Sequence, residues 1–400
     1  MPYQQRRTFR PGRGASQRSF HSKPARRGGN TKQYINPAKF VQAARQVEVE
    51  EYVPTNSFSD FAMHDLLRTN LVTKGFNAPS PIQDQAIPHG LEGKDLVGIA
   101  NTGTGKTLAF AIPLLDRLLN DKQSRALIMA PTRELAQQIE DECRWLAKTS
   151  GLYGALLIGG TPMGPQLRDL RSNPQIVIGT PGRIKDHMER GTLNVSKFNM
   201  VVLDEVDRML DMGFINDMRT ILSQLASDRQ SFFFSATLDS KVKTLVDSFV
   251  HEPVTVSVKT GDTSANVEQN VVTYVSKESK LEKLHDLLIQ EGVSKALVFD
   301  ETQRSVERLS NELLSRGFKV DAIHGGKSQG ARQKALHRFK RSEIDILVAT
   351  DVAARGIDVA DITHVINYTT PQTYEDYVHR VGRAGRAGRP GNALTFIEKY

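Results

Sequence analysis

The chain is dominated by short, wholly apolar runs that end abruptly in polar, glycine-bearing or charged clusters. D-L-V-G-I-A leads into N-T-G-T-G-K-T, A-L-I-M-A into P-T-R-E-L, M-V-V-L into D-E-V-D, and S-F-F-F into S-A-T. Runs this short and this continuous suit strands buried on both faces, and the longer stretches between them repeat apolar residues at helical spacing. The alternation predicts an α/β fold of mainly parallel sheets with crossover helices on both faces. In an open parallel sheet, ligands bind outside the carboxyl ends of the strands, so the clusters are expected to converge on one edge of each sheet.

The runs form two series. G-A-L-L-I-G and I-V-I-G complete the first, which predicts a domain over residues 51–256. The second comprises N-V-V-T-Y-V, K-A-L-V-F, K-V-D-A-I-H, D-I-L-V-A-T, H-V-I-N-Y and N-A-L-T-F-I, and predicts a domain over 268–400. The polar, turn-prone V-S-V-K-T-G-D-T-S-A-N between them reads as a linker, placed at 257–267.

Residues 1–50 have a different character. Met1–Val47 holds eleven Lys and Arg and no acid, so the net charge of +8 leaves the remainder of the chain at −3. This stretch is rich in Arg, Gly, Ser and Gln and poor in aliphatic residues before Ile35. It buries too little apolar surface to offset its chain entropy and is expected to be a disordered basic tail. A polycation with Phe9, Phe20 and Tyr34 among its arginines suits nucleic acid, and it is also a candidate contact for protein partners. No apolar run is long enough to span a membrane, and no apolar stretch follows the basic N-terminus as in a secretory signal. Cys143 is the only cysteine, which excludes an intramolecular disulfide or a cysteine-built zinc site and fits a reducing, cytoplasmic setting.

The most specific chemistry lies at Ala100–Thr107, A-N-T-G-T-G-K-T, directly after a buried-strand pattern and before L-A-F-A-I-P-L-L. Glycines there let backbone N–H groups turn toward phosphate oxygens, and a helix N-terminus adds a positive dipole end. The stretch comprises Ala100, Thr102, Gly103, Thr104, Gly105, Lys106 and Thr107, with Lys106 aimed at the β/γ-phosphates of ATP and Thr107 at Mg2+. Ala100 stands where the general phosphate-loop pattern has Gly. Asp204 and Glu205 cap the run M-V-V-L, where Asp204 is expected to serve the metal and Glu205 to orient or deprotonate the attacking water.

Taken with these residues, the chain from about Phe58 onward resembles the DEAD-box RNA helicases of superfamily 2, in which two RecA-like domains stand in tandem. The loop form with Ala100 is that family's own, and G-F-N-A-P-S-P-I-Q resembles its Q motif. The resemblance implies that Gln83 reads the adenine edge and that Phe58 or Phe76 packs near the base. It implies RNA-backbone contacts from Pro131, Thr132 and Arg133, from Gly159 and Gly160, and from Thr180, Pro181, Gly182 and Arg183. In the second domain it implies RNA contacts from Gln329, Arg332 and Thr350, and a ribose contact from Asp358. Ser235 and Thr237 of S-A-T would bond Asp207, while His379 and Arg380 would couple the domains. Arg383 and Arg386, from H-R-V-G-R-A-G-R, would be arginine fingers on the γ-phosphate.

The implied activity is ATP-dependent local unwinding of RNA, single-stranded or in short duplexes, with ATP and Mg2+ as ligands. One departure is D-E-V-D in place of D-E-A-D, which places Val206 beside the acids and is expected to repack a neighbour. Two other outputs use the same motifs: an ATP-gated RNA clamp or assembly scaffold, and a superfamily 2 DNA helicase. The Q motif, P-T-R-E-L and H-R-V-G-R-A-G-R weigh against the DNA enzyme.

Overall fold

A computed structural model describes residues 35–43, 52–101, 103–258, 266–354, 357, 359, 361–385 and 389–399. Among the described residues, thirteen strands build two sheets. The first contains β1 (Leu96–Ile99), β2 (Ala126–Met129), β3 (Gly154–Leu157), β4 (Ile176–Gly179), β5 (Met200–Leu203), β6 (Gln230–Ser235) and β7 (Val254–Ser257), in the order β3-β4-β2-β5-β6-β1-β7. The second contains β8 (Val267–Tyr274), β9 (Ala296–Phe299), β10 (Val320–Ile323), β11 (Ile346–Ala349), β12 (His364–Asn367) and β13 (Gly391–Glu398), in the order β10-β11-β9-β12-β13-β8. Every ladder within both sheets is parallel.

Period-two alternation divides each strand between two cores. In the first sheet Ile128, Met200, Val202, Phe232 and Phe234 face one helix layer, while Leu127, Met129, Val201, Leu203 and Phe233 face the other. The second sheet repeats this arrangement, with Leu297, Leu347 and Val365 on one side and Val298, Val348 and Ile366 on the opposite side. Burial on both faces is why the central strands β2, β4, β5, β9 and β11 carry no polar side chain. The two parallel-sheet α/β domains and all twelve expected strands are present.

Two boundaries differ from the sequence expectation. The first domain gains an edge strand, β7, which pairs with β1 and continues through Val258 N–H to the Ile99 carbonyl at 2.9 Å. Residues 259–265 of the expected linker lie outside the described residues. The basic tail was expected to be disordered to about residue 50, yet Ile35–Ala43 is ordered against the second domain: Pro37–Phe40 forms a 3-10 turn and Phe40 is fully buried. The arginine-rich residues 1–34, including Phe9, Phe20 and Tyr34, and residues 44–51 lie outside the described residues.

Candidate functional site

The phosphate loop is held from the neighbouring Q-motif helix, Pro81–Leu91. Ser80 precedes that helix, and its hydroxyl donates to the Thr104 carbonyl at 2.7 Å. The Gln83 amide nitrogen donates to the Gly105 carbonyl at 2.9 Å, while its oxygen accepts from Ser80 N–H at 2.9 Å. Gly105 adopts φ +91°, and a Cβ there would come within 2.4 Å of the Gln83 amide nitrogen, so both its conformation and its contact require glycine. Gln83 therefore bridges the Q-motif helix and the loop.

Helix Lys106–Asn120 starts immediately after Gly105 and brings Lys106 into the interior, where it is 6% exposed. Its ammonium lies 4.0 Å from Asp204 and has no hydrogen-bond partner among the described residues. Asp204 is 3% exposed and its pKa is pushed up to about 6, chiefly by burial and also by Glu205, against the opposing pull of Lys106. Glu205 is buried and left-handed at φ +53°, an uncommon conformation for a non-glycine residue, at the N-cap of helix Val206–Asp211. A buried ammonium without a hydrogen bond beside two carboxylates is a costly arrangement, and it matches a site that takes phosphate oxygens together with a divalent cation. Thr107 and Asp204 both line the cavity and would hold Mg2+ there. Val206 points away from it, into the core with Leu203, Met209 and Met218.

This cavity of about 290 Å³ is lined by Gln83, Gly103, Gly105, Lys106, Thr107, Asp204 and Glu205, and closed on another side by Phe76 and Trp145. The structure separates the two aromatic candidates. Phe58 is buried in the core, and Phe76 is the one that reaches the cavity. Phe76 stacks on Trp145 with ring centroids 5.6 Å apart and planes 1° from parallel, and Lys74 lies 5.7 Å from the Trp145 ring centre. Trp145 and Lys74 escaped the sequence reading because neither belongs to a recognised motif. Ala100 is buried behind the loop and donates its N–H to the Ser235 carbonyl at 3.0 Å. Thr102 lies outside the described residues.

The first-domain RNA candidates come together at the carboxyl ends of adjacent strands β3, β4 and β2. Pro131 and Thr132 follow β2, and the Thr132 hydroxyl caps helix Arg133–Leu146 by accepting from Leu135 N–H at 3.2 Å. The Arg133 guanidinium covers Gly159 and Gly160, where φ is +73° at Gly160 and a Cβ there would lie 2.0 Å from Arg133 Nη1. Thr180 and Pro181 start helix Pro181–Glu189, Gly182 is exposed, and Arg183 donates to the Thr161 carbonyl at 3.4 Å. Two neighbouring helix N-termini and two arginines form a surface suited to backbone phosphates.

The second-domain candidates divide. Thr350 ends β11, and its carbonyl accepts from Ala353 and Ala354 N–H. Gln329 and Arg332, expected on RNA, are instead turned onto Glu134 of the first domain. Arg332 Nη2 lies 2.9 Å from Glu134 Oε1, Gln329 donates to the same oxygen at 3.3 Å, and all three side chains are buried. Arg332 cannot lie free on RNA while Glu134 neutralises it out of water. Arg380, expected to couple the domains, is committed inside its own domain. It forms a bidentate pair with Asp351 at 2.6 and 2.7 Å and donates to the Thr369 carbonyl at 2.7 Å and to Asn367 at 3.2 Å. Asp358 and Arg386 lie outside the described residues.

Asp207 lies against the S-A-T segment. Its carboxylate accepts from Ala236 N–H at 3.1 Å and from the Thr237 hydroxyl at 3.5 Å, while its own N–H donates to the Ser235 hydroxyl at 3.4 Å. The next residue, Arg208, lines a small cleft together with His379, Arg380 and Arg383 of the second domain. Arg383 is buried and donates to the Ile357 carbonyl at 3.0 Å.

The DEAD/DEAH box helicase family matches residues 80–245, and the helicase conserved C-terminal domain matches 279–388. The chain is 43% identical over 344 residues to the ATP-dependent RNA helicase CshA of Listeria monocytogenes, covering 85% of this chain and 66% of that protein. It is 42% identical to the DEAD-box ATP-dependent RNA helicase CshA of Bacillus subtilis, covering 86% of this chain and 70% of that one. Among solved structures, S. cerevisiae Dbp5 bound to RNA and ADP BeF3 superposes with a TM-score of 0.76 at 28% identity, over 86% of this chain and 90% of that one. Mss116p bound to ssRNA and AMP-PNP superposes at 0.77 and 28% identity, over 88% and 77% of the two chains. With its two parallel-sheet domains, its phosphate loop and its D-E-V-D acids, the chain belongs to the DEAD-box family of ATP-dependent RNA helicases, which are ATP-hydrolysing enzymes.

Proposed function

We propose that this protein binds RNA backbone across both domains and locally unwinds short duplexes as it hydrolyses ATP. The observation that carries the reading is the cleft in which Arg208, next to Asp207 of the first domain, meets His379 and Arg383 of the second. Groups from both domains meet there, so this cleft exists only when the domains are together. The buried Glu134–Arg332 contact supports the same reading, because domain separation would expose both charges.

ATP is the substrate and sits with its base toward Phe76 and Gln83 and its phosphates on the loop. Lys106 holds phosphate oxygens. Thr107 and Asp204 would hold Mg2+, which when bound would supply positive charge against the phosphates. Glu205 orients a water and takes a proton from it as the water oxygen bonds to the γ-phosphorus. The bond to the β–γ bridging oxygen breaks, yielding ADP and inorganic phosphate. Arg383 and Arg386 stabilise the charge on the transferring group, a role worth roughly 10³–10⁵ in rate. Arg133, Arg183, Thr350 and the two helix N-termini hold RNA phosphates, which makes binding indifferent to sequence. The enzyme would work in the cytoplasm, with residues 1–34 adding electrostatic affinity for RNA.

Strand displacement from a short RNA duplex, measured with ATP and with a non-hydrolysable analogue, tests the proposal. Displacement that requires RNA and ATP together is the expected result. Stable ATP-dependent binding without displacement would identify a clamp instead, and equal stimulation by DNA would identify a less selective translocase.

A further inference from the structure

The Gly159–Gly160 loop and the start of helix Pro181–Glu189 are joined from beneath by side chains outside the recognised motifs. Gln166 lies on helix Met163–Arg171 and is 4% exposed. Its amide nitrogen donates to the Ile158 carbonyl at 3.1 Å and to the Thr161 hydroxyl at 2.7 Å, with the Pro162 carbonyl at 3.4 Å. The Thr161 hydroxyl donates in turn to the Ile158 carbonyl at 2.9 Å. One buried amide therefore gathers acceptors from both sides of the two glycines.

The Gln166 amide oxygen faces the other way, 3.2 Å from His187 Nε2. His187 is fully buried in the last turn of helix Pro181–Glu189. The Gln166 nitrogen is committed to the loop, so its oxygen accepts and His187 Nε2 carries the hydrogen. His187 Nδ1 lies 2.9 Å from the Thr192 hydroxyl. Burial holds the imidazole below its usual pKa, which suits this neutral tautomer. One helical turn before His187, Arg183 donates to the Thr161 carbonyl at 3.4 Å, so the loop and the helix are clamped at two points. The exposed surface of a phosphate-binding loop must be free of carbonyl oxygens, which repel anions. Here the Ile158 and Pro162 carbonyls are turned onto Gln166 and the Thr161 carbonyl onto Arg183.

We propose that Gln166, oriented by His187, is a positioning residue for RNA: it turns the carbonyls around Gly159 and Gly160 inward and fixes this loop to the helix that begins at Thr180. The inference rests on the reading that both surfaces hold RNA phosphates. Joining them before RNA arrives removes an ordering cost from binding. It also sets the spacing at which the two surfaces meet the phosphates. Neither Gln166 nor His187 lines the nucleotide cavity, so the effect falls on RNA and not on ATP.

The full chain tests this by titration with a fluorescent oligouridylate in the presence of a non-hydrolysable ATP analogue. Gln166→Met keeps nearly the same side-chain length and removes every amide contact. His187→Leu leaves Gln166 in place and removes the donor that orients it, while His187→Gln retains an amide donor. Gln166→Met should weaken RNA binding about tenfold, the equivalent of one charge-assisted contact. The slope of log affinity against log salt should fall by about 0.7, one phosphate of a single strand. His187→Leu should shift both quantities in the same direction by less, and His187→Gln should stay near wild type. The affinity for a fluorescent ATP analogue and the RNA-free ATPase rate should not change. In hydrogen–deuterium exchange without RNA, the amides of Ile158–Thr161 should exchange faster in Gln166→Met. Unchanged RNA affinity and unchanged exchange in Gln166→Met would overturn the proposal. So would equal losses of RNA and ATP affinity with a lower Tm, the signature of a purely structural residue. If Gln166→Met does not fold, His187→Leu decides by the same readouts. If the wild-type chain does not bind the oligonucleotide, the RNA reading fails, and the exchange rates still decide whether Gln166 fixes the loop.

Discussion

Two ion pairs, one in each domain, are built to opposite standards. Arg380 and Asp351 form two short hydrogen bonds, and Asn367 and the Thr369 carbonyl take further guanidinium donors. Lys106 and Asp204 sit 4.0 Å apart, Lys106 has no hydrogen bond among the described residues, and Asp204 is raised to about pKa 6 mainly by its burial. The first pair is a completed piece of scaffold. The second retains unmet electrostatic demand beside the phosphate loop, where the proposed mechanism seats the phosphates and Mg2+. A buried charge left short of partners lowers stability, and it persists where function uses it.

Substitutions should therefore affect activity in one pair and folding in the other. The largest effects belong to the nucleotide site. Lys106→Ala, Glu205→Gln and Arg383→Ala should each lower turnover by roughly 10³-fold or more in a phosphate-release assay, with melting temperatures near wild type. Glu205→Gln should still bind a fluorescent ATP analogue.

Arg380→Ala should do the reverse. Leaving the partly exposed Asp351 and the neighbouring acceptors without the guanidinium should cost about 1–3 kcal/mol, readable as a fall in Tm or in the urea midpoint of the second domain. Arg380→Lys should recover only part of that loss, because an ammonium lacks the planar fork.

Asp204→Asn sharpens the contrast, because it should abolish turnover and stabilise the fold. The Asp204 pKa is raised on folding, so its ionisation opposes the folded state, and the penalty grows as pH rises from about 4 to above 6. Removing the charge should gain on the order of 1–3 kcal/mol at pH 8 and almost nothing at pH 4. Thermal melts of both proteins across that range, without nucleotide, check the sign.

Trp145→Ala should have the smallest effect. Loss of the ring stacked on Phe76 should raise the KM for ATP about fivefold with kcat little changed, in keeping with about 1 kcal/mol for an aromatic pair. Trp145 is the only tryptophan, so a change in intrinsic fluorescence on ATP binding would report directly on this wall of the cavity.

What could be read in advance follows the same division. The strands were legible because burial on both faces leaves an unbroken apolar signature, and the phosphate-loop residues because their chemistry is local and contiguous. β7 was hidden because V-T-V-S is a half-exposed edge strand running into polar sequence. Phe40 was hidden because one aromatic residue in a basic, polar stretch has no periodicity, and its burial depends on a surface more than three hundred residues away in the chain. Gln329 and Arg332 were legible only through the family resemblance, which implied RNA contacts. Their partner Glu134 lies in the other domain, and only the packed structure shows that their hydrogen bonds are spent there. Arg380 and Arg383 share one motif and one residue type, yet the first is fully occupied by Asp351, a pairing that sequence proximity does not reveal.

The central claim is that the first domain holds a nucleotide site which the second domain completes when RNA draws the two together. The most direct measurement is the ATPase rate of the wild-type chain and of Arg383→Ala, each with and without saturating single-stranded RNA. RNA should raise the wild-type rate by about tenfold or more, within the usual range of coupling, and leave Arg383→Ala at its basal rate. A wild-type rate indifferent to RNA, or equal stimulation of Arg383→Ala, would contradict it.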